Sequence, residues 1–176
     1  MSSTNVATGA IVRSAALAFE QHDGYELACI VGPHLGAEFV RLDAVRVAAG
    51  HDWSAPEIDV EHILVVRSGS GTAEVAGRRA LIERAATAYA PTGSLLRVHA
   101  ETAMFCYLWR TVLLPGRPTS AAPRHFSSLW NDETQLINFA GTGQVNPTDR
   151  IATMNLVCWP GTGSAQLCLH CGIQQP

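Results

Sequence analysis

Short runs in which apolar and polar positions alternate dominate this chain, and alternation of period two predicts β-strands with one buried face. From Glu38 to Val47, the apolar Phe39, Leu42, Val45 and Val47 are interleaved with Arg41, Asp43 and Arg46. One slip of register falls near Leu42, of the kind a β-bulge produces. Glu26 to Val31 is short and apolar, Ile63 to Val66 is continuously apolar, and Thr72 to Val75 alternates. Ala80 to Ile82, Thr87 to Tyr89, Leu95 to Val98 and Ala103 to Trp109 complete the series. Gly69-Ser70-Gly71 reads as a hairpin turn between two paired strands, Ala76-Gly77 as a second turn, and Pro91-Thr92-Gly93 as the turn before Leu95. Short strands broken by turns every roughly eight to twelve residues predict an all-β sandwich or barrel.

Helical signals are few. Ile11 to Gln21 predicts one or two amphipathic turns, and Phe126 to Glu133 another, capped by Ser127 or Ser128. Leu113 to Pro123 is rich in Pro, Gly, Ser and Thr and reads as a linker or surface strap. Further β-like runs follow at Gln135 to Ala140 and Ile151 to Trp159. The stretch from Met154 to Gly161 echoes Leu42 to Gly50, each an alternating strand ending in a glycine turn. The predicted organisation is an N-terminal arm (1–20), a barrel (21–112), a linker or strap (113–150) and additional strands (151–176). These last strands are a C-terminal strap or the start of a second repeat.

Composition narrows the function. The chain has 176 residues, 47% of them hydrophobic, enough for one compact domain with its own core. All twelve basic residues are arginine, which excludes Schiff-base and lysine-nucleophile chemistry. They are scattered, and the net charge is −3, so no basic stripe suits a nucleic-acid backbone. No apolar run approaches the ~20 residues of a membrane span, and Met1 to Ala10 lacks the basic and apolar regions of a signal peptide. With five cysteines, most of them in strand-like runs, the expectation is free thiols and a cytoplasmic protein. Neither a nucleophile elbow nor a phosphate loop is present, so no nucleotide cofactor is expected.

The segment from Gly50 to Trp109 resembles the cupin superfamily. Gly50 opens the first motif, Ile63-Leu64-Val65-Val66 is its strand and Gly69 closes it, in "HILVVRSGSGTAEVAG". Pro91 and Gly93 match the second motif in "YAPTGSLLRVHAETAMFCYLW". The resemblance implies a cupin-type antiparallel jelly-roll β-barrel with one interior pocket, and a homodimer in which Leu156 to Trp159 adds a strand at a sheet edge. It also implies a divalent transition metal (iron, zinc, manganese or nickel) and a small-molecule enzyme of the oxygenase, isomerase or cyclase kind. The ligand positions depart from the motifs. The motif glutamate falls at His62, and the His-x-His pair at Ala55 and Glu57 or at Pro56 and Ile58. The second motif's histidine falls at Leu96, its opening glycine at Ala85 and its asparagine at Ala100. The alternative is a barrel that binds a small ligand, or only packs against a partner, after losing its metal site.

Phase along the strands selects the candidate residues. His62 shares a face with Leu64 and Val66, so it points into the barrel if that face is internal, as a metal ligand or a general acid/base. Glu57 is the nearest oxygen ligand or proton-sharing partner. His51, after the glycine turn, completes a His₂–carboxylate set with them. If Leu96 points inward it makes one pocket wall apolar, and His99 then points outward. Arg97, Tyr107 and Leu96 are candidate substrate-binding residues, Arg97 as a bidentate carboxylate clamp. Cys168-x-x-Cys171 lacks the second pair a closed zinc site needs.

Overall fold

The computed structural model describes residues 12–56, 59–112, 123–129, 151–158 and 160–174, with the backbone alone for 14, 112, 151–156 and 170–174. In chain order the strands are β1 (Glu20–His22), β2 (Tyr25–Val31), β3 (Val40–Val47), β4 (Asp52–Ser54), β5 (Val60–Ser68), β6 (Ser70–Val75) and β7 (Arg78–Glu83). They continue with β8 (Ala86–Ala90), β9 (Leu96–Ala100), β10 (Met104–Val112), β11 (Phe126–Ser128), β12 (Ile151–Cys158) and β13 (Leu169–Gln174). Every described pairing is antiparallel. One sheet has the order β1-β2-β3-β10-β5-β8-β11, and β4-β9-β6-β7 faces it. Together β3 to β10 form an antiparallel jelly roll.

The predicted alternation sorts the core. Along β9, Leu96, Val98 and Ala100 are buried while Arg97 and His99 are exposed. The inward sets from both sheets (Val45, Leu64, Val66, Val75, Leu96, Val98, Leu108 and their neighbours) make one apolar core. Strand β5 departs from alternation because both its faces are covered. Leu64 and Val66 look into the barrel, while Ile63 and Val65 pack with Tyr89, Cys158 and Leu167 on the outer face.

That outer cover is held by one carboxylate. Fully buried Glu61 accepts hydrogen bonds from the backbone N–H groups of Ala165 (2.5 Å), Gln166 (2.9 Å) and Leu167 (3.1 Å) and from the Tyr89 hydroxyl. Burial and the adjacent Glu61 push the Tyr89 phenol well up, so it stays a donor. The Ser164 hydroxyl donates to the Leu167 carbonyl (2.6 Å), which tightens the turn that presents these N–H groups.

Several expectations are corrected. Gly69-Ser70-Gly71 is not a hairpin between paired strands. β5 pairs with β10 and β8, and β6 with β7 and β9, so Gly69 is the corner where the chain crosses from one sheet to the other. Ala76-Gly77 is a two-residue hairpin, both residues at positive φ (50° and 74°), joining β6 to β7. The helix expected from Phe126 begins instead as β11, whose backbone pairs with the β8 edge. Within Ile11 to Gln21 the described residues hold one 3₁₀ turn, Ser14–Ala16, and the start of β1. β3 runs without a bulge at Leu42 against β10, and the register shift beside it is in β2, between Cys29 and Val31 opposite Asp43 and Leu42. The Met154 echo forms β12, which pairs with β13 as a two-stranded sheet of its own. Gln135 to Ala140 lies outside the described residues, where no structural statement applies. Among the described residues no helix is long and apolar enough to cross a membrane.

The corner and the clamp give two tests. Gly69 sits at φ +85°, and a Cβ there would lie 2.3 Å from the Ala103 carbonyl oxygen. Gly77 at φ +74° has open space around it. Gly69→Ala is expected to cost more than about 2 kcal/mol in urea unfolding and Gly77→Ala about 1 kcal/mol. Equal costs would contradict the corner. Glu61→Gln is expected to cost at least about 2 kcal/mol, because N–H groups that faced a carboxylate then meet a donor. Limited proteolysis should then cut first within residues 160–169, and an unchanged cleavage pattern would refute the clamp.

Candidate functional site

The barrel interior is apolar except at one end. There the register sets three basic side chains in a row across neighbouring strands. Arg41 of β3 lies opposite Arg110 of β10, and Arg110 lies opposite His62 of β5. Cross-strand partners share a face, with Cβ atoms about 5 Å apart, so the row spans roughly 10 Å of the inner wall. Asp43, two positions along β3, is fully buried and ties the row together. It accepts Arg110 Nε–H (3.0 Å) and Nη2–H (2.5 Å) on one oxygen and Arg41 Nε–H (2.9 Å) on the other. Arg110 is itself buried, and such a pair is strongly destabilised if one partner is removed.

His62 completes the row with no exposed surface, and neither ring nitrogen has a hydrogen-bond partner among the described residues. Burial first, and then the Arg110 guanidinium, push its pKa from 6.5 to about 4, with Asp59 opposing. At neutral pH it is an uncharged imidazole with one donor and one acceptor. Thr92, in the turn after β8, adds a buried hydroxyl oxygen that also lacks a partner. A cleft of about 160 Å³ opens on this end, with Pro33, Phe39, Arg41, Val60, Arg110 and Thr111 in its walls.

The other candidates lie elsewhere. His51 is exposed, its Nδ1 3.1 Å from the Ala49 carbonyl oxygen, beyond the Val47 end of β3. Arg41 to Val47 along β3 is about 20 Å, so His51 and His62 sit at opposite ends of the barrel and form no ligand set. Arg97 is on the outer face of β9, exposed, with Glu74 as its ion-pair partner at 3.6 Å. It does not reach the interior because it alternates with the inward Leu96 and Val98. Tyr107 is also external. It stacks edge-on with Phe105 and Trp109 and borders a hollow of about 310 Å³ with Ile30 and Leu42. Leu96 is fully buried in the core, and His99 is outward, its Nδ1 2.8 Å from Asp52. Glu57 lies outside the described residues.

Reading phase for apolar residues alone passes over Arg41, Asp43, Arg110 and Glu61. The signal was present in the first three. Arg41 and Asp43 occupy the same phase as Val45 and Val47, so the slip at Leu42 marks charges turned into the barrel. Arg110 likewise continues the phase of Met104, Cys106 and Leu108.

The donor set among the described residues does not fit the divalent metal that the resemblance implies. A transition-metal site takes three or four protein ligands. Among the described residues no three His, Cys, Asp or Glu side chains come together. Among the described residues His62 is the one imidazole placed on the inner wall, the neighbouring carboxylate of Asp43 is held by two arginines, and Arg110 opposes a cation. Of the cysteines, Cys29, Cys106, Cys158 and Cys168 are free, and burial pushes Cys106 and Cys158 up to about 12. The side chain of Cys171 lies outside the described residues.

No family model and no curated protein matches the chain. Solved structures do. A predicted oxalate decarboxylase from Thermotoga maritima superposes with a TM-score of 0.53 at 15% identity, over 59% of this chain and all of that one. KdgF from Halomonas sp. gives 0.52 at 13%, over 60% and 96%. Protein Ylba from E. coli gives 0.55 at 21%, over 70% of this chain and 52% of its own length. Identities this low carry the likeness of fold and nothing finer.

The burial of His62 has a sign that can be tested. An imidazole held neutral in the fold takes up a proton freely once unfolded, so stability is full above pH 6.5 and declines as pH falls towards about 4. The decline due to this residue is roughly 3 kcal/mol at most. His62→Leu removes two unpartnered buried nitrogens at similar volume. It is expected to raise stability at pH 7 by about 1 kcal/mol or more and to flatten that acid limb. A destabilised His62→Leu, with the limb intact, would show that the ring is well partnered.

Proposed function

The fold is that of the cupins, and from this premise we propose that the chain is a small-molecule enzyme of the isomerase or cyclase kind in which His62 moves a proton. The observation that carries this reading is the imidazole itself: buried on the inner wall, uncharged at neutral pH, both nitrogens unpartnered. A buried polar group left unsatisfied costs stability and is maintained where a ligand completes it. Neutral His62 takes a proton from an acidic C–H of the substrate and returns it to another atom of the same molecule. Such a transfer needs no redox partner and no metal. Arg110, across from His62, stabilises negative charge that develops on the substrate oxygen. In this reading the barrel of 21–112 carries the site, 113–150 is a strap and 151–176 closes the outer face.

Leu96 and Val98, apolar on the inner wall, support a second reading, a barrel that binds its ligand without turnover, since ligand sites are mostly apolar with a few convergent polar groups. The two separate in deuterium oxide. The protein is incubated with a mixture of small keto acids, neutral ketones and sugars, and deuterium incorporation is read by mass spectrometry. Wild type should label one compound class, also after exhaustive chelation with EDTA, and His62→Gln should not. Labelling that EDTA abolishes would establish a metalloenzyme. No labelling at all would leave the binding barrel.

A further inference from the structure

The β12–β13 ladder carries a register fault with a cysteine on either side of it. Leu156 lies opposite His170 and Cys158 opposite Leu169, two steps along β12 against one along β13. Val157 is the extra residue, and two residues facing one make a β-bulge. Val157 and Cys158 are consecutive and both buried. Cys158 packs with Ile63, Val65, Tyr89 and Leu167 in the layer that covers the outer face of β5, and Leu169 packs against the same layer. Cys168, one residue before Leu169, is exposed. In this register the two thiols lie on opposite sides of the ladder, and cysteines whose Cβ vectors point apart cannot be bridged without backbone movement.

The ladder itself defines that movement. If Val157 joins it, Val157 takes the place opposite Leu169, and the next pair is Cys158 opposite Cys168. Directly opposed residues of an antiparallel pair have Cα atoms about 4.5–5.5 Å apart, inside the range of roughly 4.4–6.8 Å that a disulfide spans. The pairing that the Cys168-x-x-Cys171 motif offers is closed off. Those two residues are three positions apart along an extended strand, roughly 10 Å between Cα atoms, which is beyond a disulfide's reach. Cys171 lies opposite Asn155, so it is three positions from Cys158 as well.

We propose that Cys158 and Cys168 form a redox switch, in which closing their disulfide straightens the Val157 bulge and releases the cover of β5. The reaction is thiol–disulfide exchange with a low-molecular-weight disulfide such as glutathione disulfide. Exposed Cys168, as its thiolate, attacks one sulfur of that molecule, forming a mixed disulfide and releasing the first small thiol. Cys158 then gives up its proton and attacks the Cys168 sulfur, and the second small thiol leaves. The protein loses two electrons and two protons, and the small disulfide is reduced to two thiols. The order follows exposure. Burial holds the Cys158 thiol up at about 12, so it becomes a nucleophile only when the strand carries it out of the covered layer. That exit is the mechanical output. Once Cys158 shares the exposed face with Cys168, its side chain no longer packs over Ile63 and Val65, and Ser164 loses the sulfur it lies against. Leu167, whose N–H grips Glu61, is joined directly to Cys168, so the pull on Cys168 reaches that grip through one peptide unit. Reduction restores the bulge.

The test equilibrates the full chain in glutathione buffers from reducing to oxidising, digests it without reductant and identifies the linked peptides by mass spectrometry. A Cys158–Cys168 cross-link is expected in the native protein. It should be absent in Cys168→Ser, a change at an exposed position that leaves the fold intact. Deleting Val157 removes the extra residue and sets the two cysteines opposite one another from the start, so the cross-link should form at an at least about tenfold lower proportion of glutathione disulfide. Limited proteolysis is the second readout and uses wild type and Cys168→Ser alone. Oxidation should speed cleavage within residues 160–169 at least about tenfold, dithiothreitol should reverse it, and Cys168→Ser should not respond. A cross-link between Cys168 and Cys171, a glutathione adduct on Cys168 that goes no further, or the expected cross-link with an unchanged cleavage rate would each overturn the switch.

Discussion

The hold of Glu61 on three successive backbone N–H groups is the interaction on which the rest depends. A carboxylate with no exposed surface is tolerable only if its oxygens are fully engaged, and the 165–167 segment together with Tyr89 engages them. In exchange the segment covers Ile63 and Val65, so β5 is dry on its outer face as well as its inner one. On the inner face, burial is the larger part of the downward pKa shift of His62 and the Arg110 charge the smaller. A segment more than a hundred residues away in sequence thus covers one face of β5, while the barrel core covers the other.

The strands and the barrel were legible because period two is a local signal, and local signals survive in a single sequence. His62 was legible for the same reason, being in phase with Leu64 and Val66. The inner charges were visible but misread. An arginine or aspartate in an apolar phase looks like a slip of register until a partner is known, and Asp43 and Arg110 are 67 positions apart. Glu61 was invisible, because nothing local distinguishes a buried acceptor of distant N–H groups from the exposed carboxylates around it. His51 and Arg97 were misplaced for a related reason. Proximity across a barrel depends on which end of a strand a turn lies, and a turn motif carries no such label. Gly69 failed as a hairpin because glycine at positive φ serves a corner between sheets equally well.

The inner wall combines features that stability alone would select against: an unpartnered imidazole, an unpartnered hydroxyl, and two guanidiniums on one carboxylate. All are confined to one end, and the apolar layers of Val45, Leu64, Val66, Leu96 and Leu108 carry the packing away from it. That division lets the site change its chemistry while the rest of the barrel keeps its core, and fits a fold whose solved representatives share so little sequence with this chain.

Glu61 and His62 are consecutive, and a strand sends consecutive side chains to opposite faces. The carboxylate that holds the cover and the imidazole that faces the chamber are therefore separated by one peptide unit and by the full thickness of a sheet. A shift of β5 by a single residue exchanges them. The imidazole would then meet backbone N–H groups it cannot accept from as a carboxylate does, and the carboxylate would enter the chamber and neutralise Arg110. Length changes in the turn before β5 can thus be absorbed only by looping out or in steps of two. A side chain on the inner wall can be exchanged without touching the grip of Glu61, but the parity of this one strand is locked from both sides.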